Sequence, residues 1–160
     1  MMIRSAVLLF LFWTQATAFV PSGTRKASIL LNAEVVDDKT EVREYFNQEG
    51  FSRWNKIYSE SDDVNTVQLD IRNGHDQTIQ KILNWIQDEV KDKTVCDCGC
   101  GVGSLAIPLA QAGAKVSASD ISNAMATEAA RRAKALGITS ADFYTSDLES
   151  VTGKYDTVTC

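Results

Sequence analysis

The chain has 160 residues, 44% of them hydrophobic, with 16 basic and 21 acidic side chains and a formal charge of −5. That is material for one globular domain with its own core. The acidity argues against nucleic acid as a partner and offers no basic patch to anionic lipids.

At the amino end, Arg4 precedes an apolar run from Ala6 to Trp13, and Ala16-Thr17-Ala18 has the small residues of a signal-peptidase site. Eight apolar residues are too few to span a bilayer as a helix, so residues 1–18 are expected to be a cleaved signal peptide. From Phe19 to Ala33 there is no acid, while Ser22, Thr24, Arg25, Lys26 and Ser28 supply hydroxyls and positive charge. Residues 19–33 therefore resemble a plastid transit segment. Together the two resemble the bipartite leaders of algae with complex plastids, which implies delivery to the plastid (chloroplast); secretion is the alternative. Three of the basic residues and none of the acids lie in 1–33, so the mature charge falls from −5 to −8.

Residues 34–92 read as helical. Val42, Tyr45, Phe46, Phe51, Trp54, Ile57 and Tyr58 fit two short amphipathic helices broken at Glu49-Gly50, and Ile79, Ile82, Leu83, Ile86 and Val90 recur at helical intervals in a longer one. The aromatic-rich first part is expected to be either a mobile flap over a ligand site or an extra core layer. His75, the one histidine, is expected just before the longer helix, as a positioning or structural residue rather than a base.

Residues 93–160 alternate strand and helix, which predicts an α/β fold: a Rossmann-like parallel sheet with helices on both faces and ligands at the carboxyl ends of the strands. The first strand leads into Asp97-Cys98-Gly99-Cys100-Gly101-Val102-Gly103. Glycines at 99, 101 and 103 allow a sharp turn and close approach of a ligand to the backbone, and a helix N-terminus behind them would present free N–H groups to a carboxylate. Asp97 can hold an ammonium group, directly or through water. A dinucleotide fingerprint would place glycine where Ser104 stands, so S-adenosylmethionine fits this loop better than a nicotinamide cofactor. The second strand, Lys115 to Ser119, ends at Asp120, whose carboxylate can accept from both hydroxyls of a ribose. A helix from Ser122 or Asn123 to Leu136 places Met125, Ala129, Ala133 and Leu136 on one side and stops at Gly137. Ile121 and Met125 are candidates to flank an adenine ring. The third strand, Ala141 to Ser146, ends at Asp147, which could accept from an adenine amino group with the Leu148 N–H near a ring nitrogen. One such Asp is more often a turn former than a ligand; three at successive strand ends, with glycines after the first, favour a site. Tyr155 to Cys160 reads as a fourth strand. Cys96, Cys98 and Cys100 lack zinc-ligand spacing, so no metal is expected and the thiols read as small side chains in a packed loop.

Tyr45-Phe46-Asn47, Gly50-Phe51, Arg53-Trp54, Ile57-Tyr58, Val64-Asn65, Val67-Gln68, Ile71-Arg72, Gly74-His75, Gln77-Thr78, Cys96-Asp97, the loop Gly99 to Leu105 and Gly113 to Ser122 resemble the magnesium protoporphyrin IX methyltransferases, within the class I S-adenosylmethionine-dependent superfamily. The likeness runs from about Asp38 to Cys160, with Cys98 where alanine is expected. It implies a seven-stranded sheet of which about four strands are present, so the chain is expected to be a fragment. It also implies S-adenosylmethionine as cofactor, cofactor contacts from Asp97, Gly99, Cys100, Gly101, Gly103, Asp120, Ile121, Met125, Asp147 and Leu148, and methylation of a propionate carboxylate of magnesium protoporphyrin IX. Tyr58, then Tyr45, are candidates to orient donor or acceptor, with His75 third. The large subunit of magnesium chelatase is implied as a partner, and the aromatic segment leaves peripheral membrane contact open. Two alternatives stand: a non-catalytic module with this fold, or a methyltransferase for another small molecule.

Overall fold

The computed structural model describes residues 37–160; the signal and transit segments read at 1–18 and 19–33 lie outside the described residues. In chain order the elements are α1 (Asp38–Asn47), α2 (Glu49–Ile57), α3 (Thr66–Ile86), β1 (Thr94–Cys98), α4 (Ala106–Gln111), β2 (Lys115–Asp120), α5 (Asn123–Ala135), β3 (Ala141–Thr145), a 3-10 turn (Leu148–Ser150) and β4 (Thr157–Thr159).

The strands are parallel in the order β3-β2-β1-β4. Burial explains β1: Val95, Cys96, Asp97 and Cys98 are all buried, as expected of a strand covered on both faces. Register sets Cys98 beside Ser119, and Asp120 beside Thr145, so the carboxyl ends of β1, β2 and β3 lie at one edge. Below that edge the core joins Leu83 of α3 and Val90 beyond it to Ala106, Leu109 and Ala110 of α4 and to Val95, Val116 and Ala118 of the sheet. Fully burying each Leu or Val side chain contributes about 1.5–3 kcal/mol.

Several boundaries differ from the sequence reading, among them β4, which is confined to Thr157–Thr159 within the expected Tyr155 to Cys160, and α3, which ends at Ile86 short of Val90. The break between the first helices falls at Gln48 (φ −121°, ψ −105°), and Glu49 and Gly50 already belong to α2. Gly50 is required there because a Cβ would lie 2.7 Å from the Tyr45 ring and 2.8 Å from its carbonyl oxygen. Helix α3 begins at Thr66, so His75 lies within it instead of preceding a helix. The cause is a capping box: Asn65 accepts from the Gln68 N–H while the Gln68 side chain accepts from the Asn65 N–H. Leu136 follows α5 as its C-cap and is 59% exposed, so the buried face of that helix is Met125, Ala126, Ala129 and Ala133. Ser122 caps α5 by accepting from the Met125 N–H, and Gly137 takes φ +71° just after it. Among the described residues no helix is long and apolar enough to cross a membrane.

Candidate functional site

A cavity of about 600 Å³ opens over the carboxyl ends of β1, β2 and β3, between them and the first two helices. Cys98, Gly99, Gly101 and Val102 form its floor, Ser119, Asp120, Ile121 and Met125 one side, Ser146 to Glu149 the far end, and Phe46, Trp54 and Tyr58 the roof.

The floor is shaped by backbone bonds. The N–H groups of Gly99 and Cys100 both donate to the Ser119 carbonyl (2.7 and 2.9 Å), folding the loop back onto β2, and the Gly103 N–H donates to the Cys100 carbonyl. Gly99 and Gly101 have φ of +80° and +52°, and nothing lies within 4 Å of where a Cβ would project from either. Gly103 serves packing: a Cβ there would meet Ile107 at 2.9 Å and Ala129 at 3.2 Å. Helix α4 starts only at Ala106, and the N–H groups of Gly99, Cys100, Gly101 and Gly103 are already engaged within the protein.

The three strand-end acids occupy different settings. Asp120 stands in the cavity wall, held by the Gly101 N–H on Oδ2 (2.9 Å) and the Ser122 N–H on Oδ1 (2.8 Å). Each oxygen keeps a second lone pair for a ligand hydroxyl. Asp147 lines the far end and also caps the 3-10 turn, accepting from the Ser150 N–H at 2.9 Å. Ser150, through its hydroxyl and then its N–H, together with Lys39 at 3.6 Å, holds the carboxyl below the ordinary range. Asp97 lies under the floor, 5% exposed, and does not line the cavity. Burial pushes its carboxyl up to about 6, against the opposing pull of the Thr159 hydroxyl, which donates to it at 2.8 Å.

Of the remaining candidates, Tyr58 and Leu148 line the cavity, whereas Tyr45, His75, Cys100 and Gly103 do not. Tyr45 packs edge-on to Phe46 and over Gly50. His75 lies behind Tyr58, the rings stacked at 4.2 Å, and Trp54 stacks on Tyr58 at 5.5 Å. Burial, then Asp76, raises the Tyr58 phenol above its ordinary range, which keeps it protonated. The thiols of Cys96 and Cys98 lie 3.6 Å apart, and burial pushes those of Cys96 and Cys100 well up, so both remain neutral packing groups.

Sequence reasoning missed Lys39, Ser119, Ser146, Glu149 and Cys160 as cavity residues, and it placed Phe46 and Trp54 only in a segment read as either a flap over the site or a core layer. The i,i+4 spacing of Trp54 and Tyr58 in the aromatic stretch was the available signal for the roof. Lys39, whose ammonium pairs with Glu149 at 2.8 Å, carried none, because its partners are over a hundred residues away.

The parallel order, the glycine turn after β1 and the acid ending β2 define a class I methyltransferase fold. Residues 95–160 match the family model described as a methyltransferase domain. Magnesium protoporphyrin IX methyltransferase of Arabidopsis thaliana is 54% identical over 136 residues, 81% of this chain and 44% of that protein. The magnesium-protoporphyrin O-methyltransferase of Synechocystis is 52% identical over 130 residues, 78% of this chain and 56% of the relative. The crystal structure of the Synechocystis enzyme with bound S-adenosylhomocysteine superposes with a TM-score of 0.73 at 50% identity, covering 76% of this chain and 57% of that one. The chain is about half identical to these magnesium protoporphyrin IX methyltransferases and spans about half the length of the relatives it matches.

Proposed function

We propose that this chain forms the cofactor-binding half of an S-adenosylmethionine-dependent O-methyltransferase that esterifies a propionate carboxylate of magnesium protoporphyrin IX in chlorophyll synthesis. The observation that carries the reading is the cavity at the strand ends, in a chain half identical to enzymes of that name. The residues fit the cofactor. Gly99 and Gly101 leave open space where side chains would otherwise block a ligand, Asp120 offers two oriented acceptors, and the solved relatives carry S-adenosylmethionine or its demethylated product.

S-adenosylmethionine, when bound, supplies an electrophilic methyl group. Asp120 would hold the ribose hydroxyls; charge-assisted bonds of this kind contribute about 1.5–3 kcal/mol each. Asp147 and the Leu148 N–H would read the adenine edge, with Ile121 and Met125 against its faces. The open faces of Gly99 and Gly101, in the loop that Cys100 and Gly103 shape from outside the cavity, would seat the amino-acid end, with Asp97 acting from beneath on its ammonium. Tyr58 would orient donor or acceptor from the roof, with Tyr45 and His75 supporting it from outside the cavity. A carboxylate acceptor is already ionised near neutral pH, so no general base is required. Alignment and exclusion of water carry the rate, and positioning of this kind can supply about 7–11 kcal/mol. Helices α1 and α2 would close over the bound pair as a lid.

Plastid delivery is part of the proposal, supported by the leader composition and by the Arabidopsis relative's description as chloroplastic. So are contact with the large subunit of magnesium chelatase and peripheral membrane contact through the aromatic roof. The test is calorimetry of the purified chain with S-adenosylmethionine and, separately, with NAD. Binding of the first alone is expected; tight NAD binding without it would overturn the cofactor reading. Formation of the porphyrin methyl ester by the full transcript product, followed chromatographically, tests the substrate.

A further inference from the structure

Helix α2 ends without a glycine. Of its last carbonyls, which no residue of the helix can satisfy, that of Trp54 accepts from the Tyr58 N–H and that of Lys56 from Ser59. Two arginines reaching in from different elements also engage this end. Arg72 of α3 donates from Nε to the Ile57 carbonyl (2.6 Å) and from Nη2 to those of Lys56 (3.2 Å) and Ser61 (3.0 Å). Arg132 of α5 donates from Nη1 to the Tyr58 carbonyl (3.0 Å) and from Nη2 to Oδ1 of Asn55 (2.7 Å), while its Nε is held by Glu128 at 2.9 Å. Glu128 is braced in turn by Arg131, and the two guanidiniums hold its carboxyl down at about 2, so the brace stays charged.

The side chains between these grips are those of the cavity roof. Tyr58 is sandwiched between Trp54 and His75. Nε1 of Trp54 and Nδ1 of His75 are the two buried side-chain nitrogens without a hydrogen-bond partner among the described residues. An unpaired buried polar group costs about 1–3 kcal/mol, so the stack is not held by polar pairing of its own rings. The rings hold one another by stacking, and the main chain that carries Trp54 and Tyr58 is held from outside by the two arginines.

We propose that Arg132 and Arg72 are positioning residues: by clamping the main chain at 55–61 they set the Tyr58–Trp54 stack against the cavity, and so shape the side that receives the methyl acceptor. Arg132 matters most, because it also joins the roof to α5, whose Met125 lines the same cavity. A lysine cannot replace it. One ammonium cannot engage Tyr58, Asn55 and Glu128 together, as the planar fork does.

The assignment of the acceptor to this side rests on the methyltransferase reading; the clamp itself does not. The experiment uses the whole chain as wild type, Arg132→Met, Arg132→Lys and Arg72→Met, with Trp54→Phe as reference. The stacked Trp54–Tyr58 pair is read by its far-ultraviolet exciton couplet, S-adenosylhomocysteine affinity by calorimetry, and magnesium protoporphyrin IX affinity by tryptophan quenching. Arg132→Met is expected to lose most of the couplet and at least tenfold in porphyrin affinity while S-adenosylhomocysteine affinity stays within threefold, and Arg132→Lys to fall between it and wild type. An unchanged couplet in Arg132→Met overturns the clamp. Should that variant not fold, an unchanged couplet in Arg132→Lys does so. A wild-type chain that shows the couplet but binds neither ligand would count against the methyltransferase reading and leave the clamp standing.

Discussion

The two halves of this chain are held together by different forces. From Thr94 onward the sheet and α4 and α5 are built on buried small and aliphatic side chains, with Val95, Leu109, Ala118 and Ala129 at most 1% exposed. From Asp38 to Tyr58, among the described residues, Gly50 and Ile57 are the buried positions, and the attachment is largely polar: Ser122 Oγ to the Phe46 carbonyl and Asn47, the Ala124 N–H to Asn47, Arg132 to Tyr58 and Lys39 to Glu149. Helix α3, by contrast, joins the core through Leu83. Apolar burial yields a floor that keeps its shape without a ligand. A roof joined by a few directional bonds can be released by losing one or two of them.

The largest expected effect lies in the floor. Gly103→Ala combines a left-handed φ of +85° with a Cβ against Ile107 and Ala129, and strain plus overpacking should cost about 2–5 kcal/mol. Denaturant unfolding checks this; a loss below about 1 kcal/mol would show that the floor yields as readily as the roof. Next, Asp120→Ala removes the acceptor held between Gly101 and Ser122. S-adenosylhomocysteine affinity should fall by roughly one to three powers of ten, read by calorimetry.

Asp97 gives a third test, with a definite sign. Burial pushes its folded carboxyl up to about 6, above the ordinary value of 3.8, so the fold prefers it protonated. Its contribution to stability is therefore greatest below about pH 4, declines as pH rises through 6, and is constant beyond. Asp97→Asn should stabilise the ligand-free chain at pH 8 by up to about 3 kcal/mol and flatten the pH 4–6 slope. A destabilised variant at pH 8 would mean that the Thr159 bond outweighs burial. Smallest, Asn47→Ala deletes the bonds to Ser122 and Ala124, with a cost of about 1–2 kcal/mol confined to the roof: faster amide exchange in α1 and unchanged protection in β1 and β2. Uniform loss of protection would erase the contrast between the halves.

The same contrast decides what was legible in the sequence. Strands β1 to β3, the Ser122 cap and the Gly137 stop could be read because each depends on neighbours a few residues away. The acids at 97, 120 and 147 were legible as strand-end residues, but not that Asp97 faces inward beneath the floor while Asp120 faces the cavity. That depends on which face each strand turns to the core. The start of α3 escaped because Gly74 interrupts the helical pattern and the apolar Val67 and Leu69 of the first turn stay exposed, and the reciprocal Asn65–Gln68 bonds declare it. Lys39, Arg72 and Arg132 were invisible as site-shaping residues because the groups they reach come from other elements.

The contact between Tyr45 and Gly50 has a mechanical consequence. With its ring resting on a residue that has no side chain, the corner between α1 and α2 works as a hinge stop, and α1 as the lever arm beyond it. Ten residues of helix extend about 15 Å, so opening the corner by roughly 10° would swing the far tip through about 2.6 Å. That arc is comparable to the 2.8 Å that separates Lys39 from Glu149, and any bulk introduced at position 50 would be felt first at the opposite end of the helix.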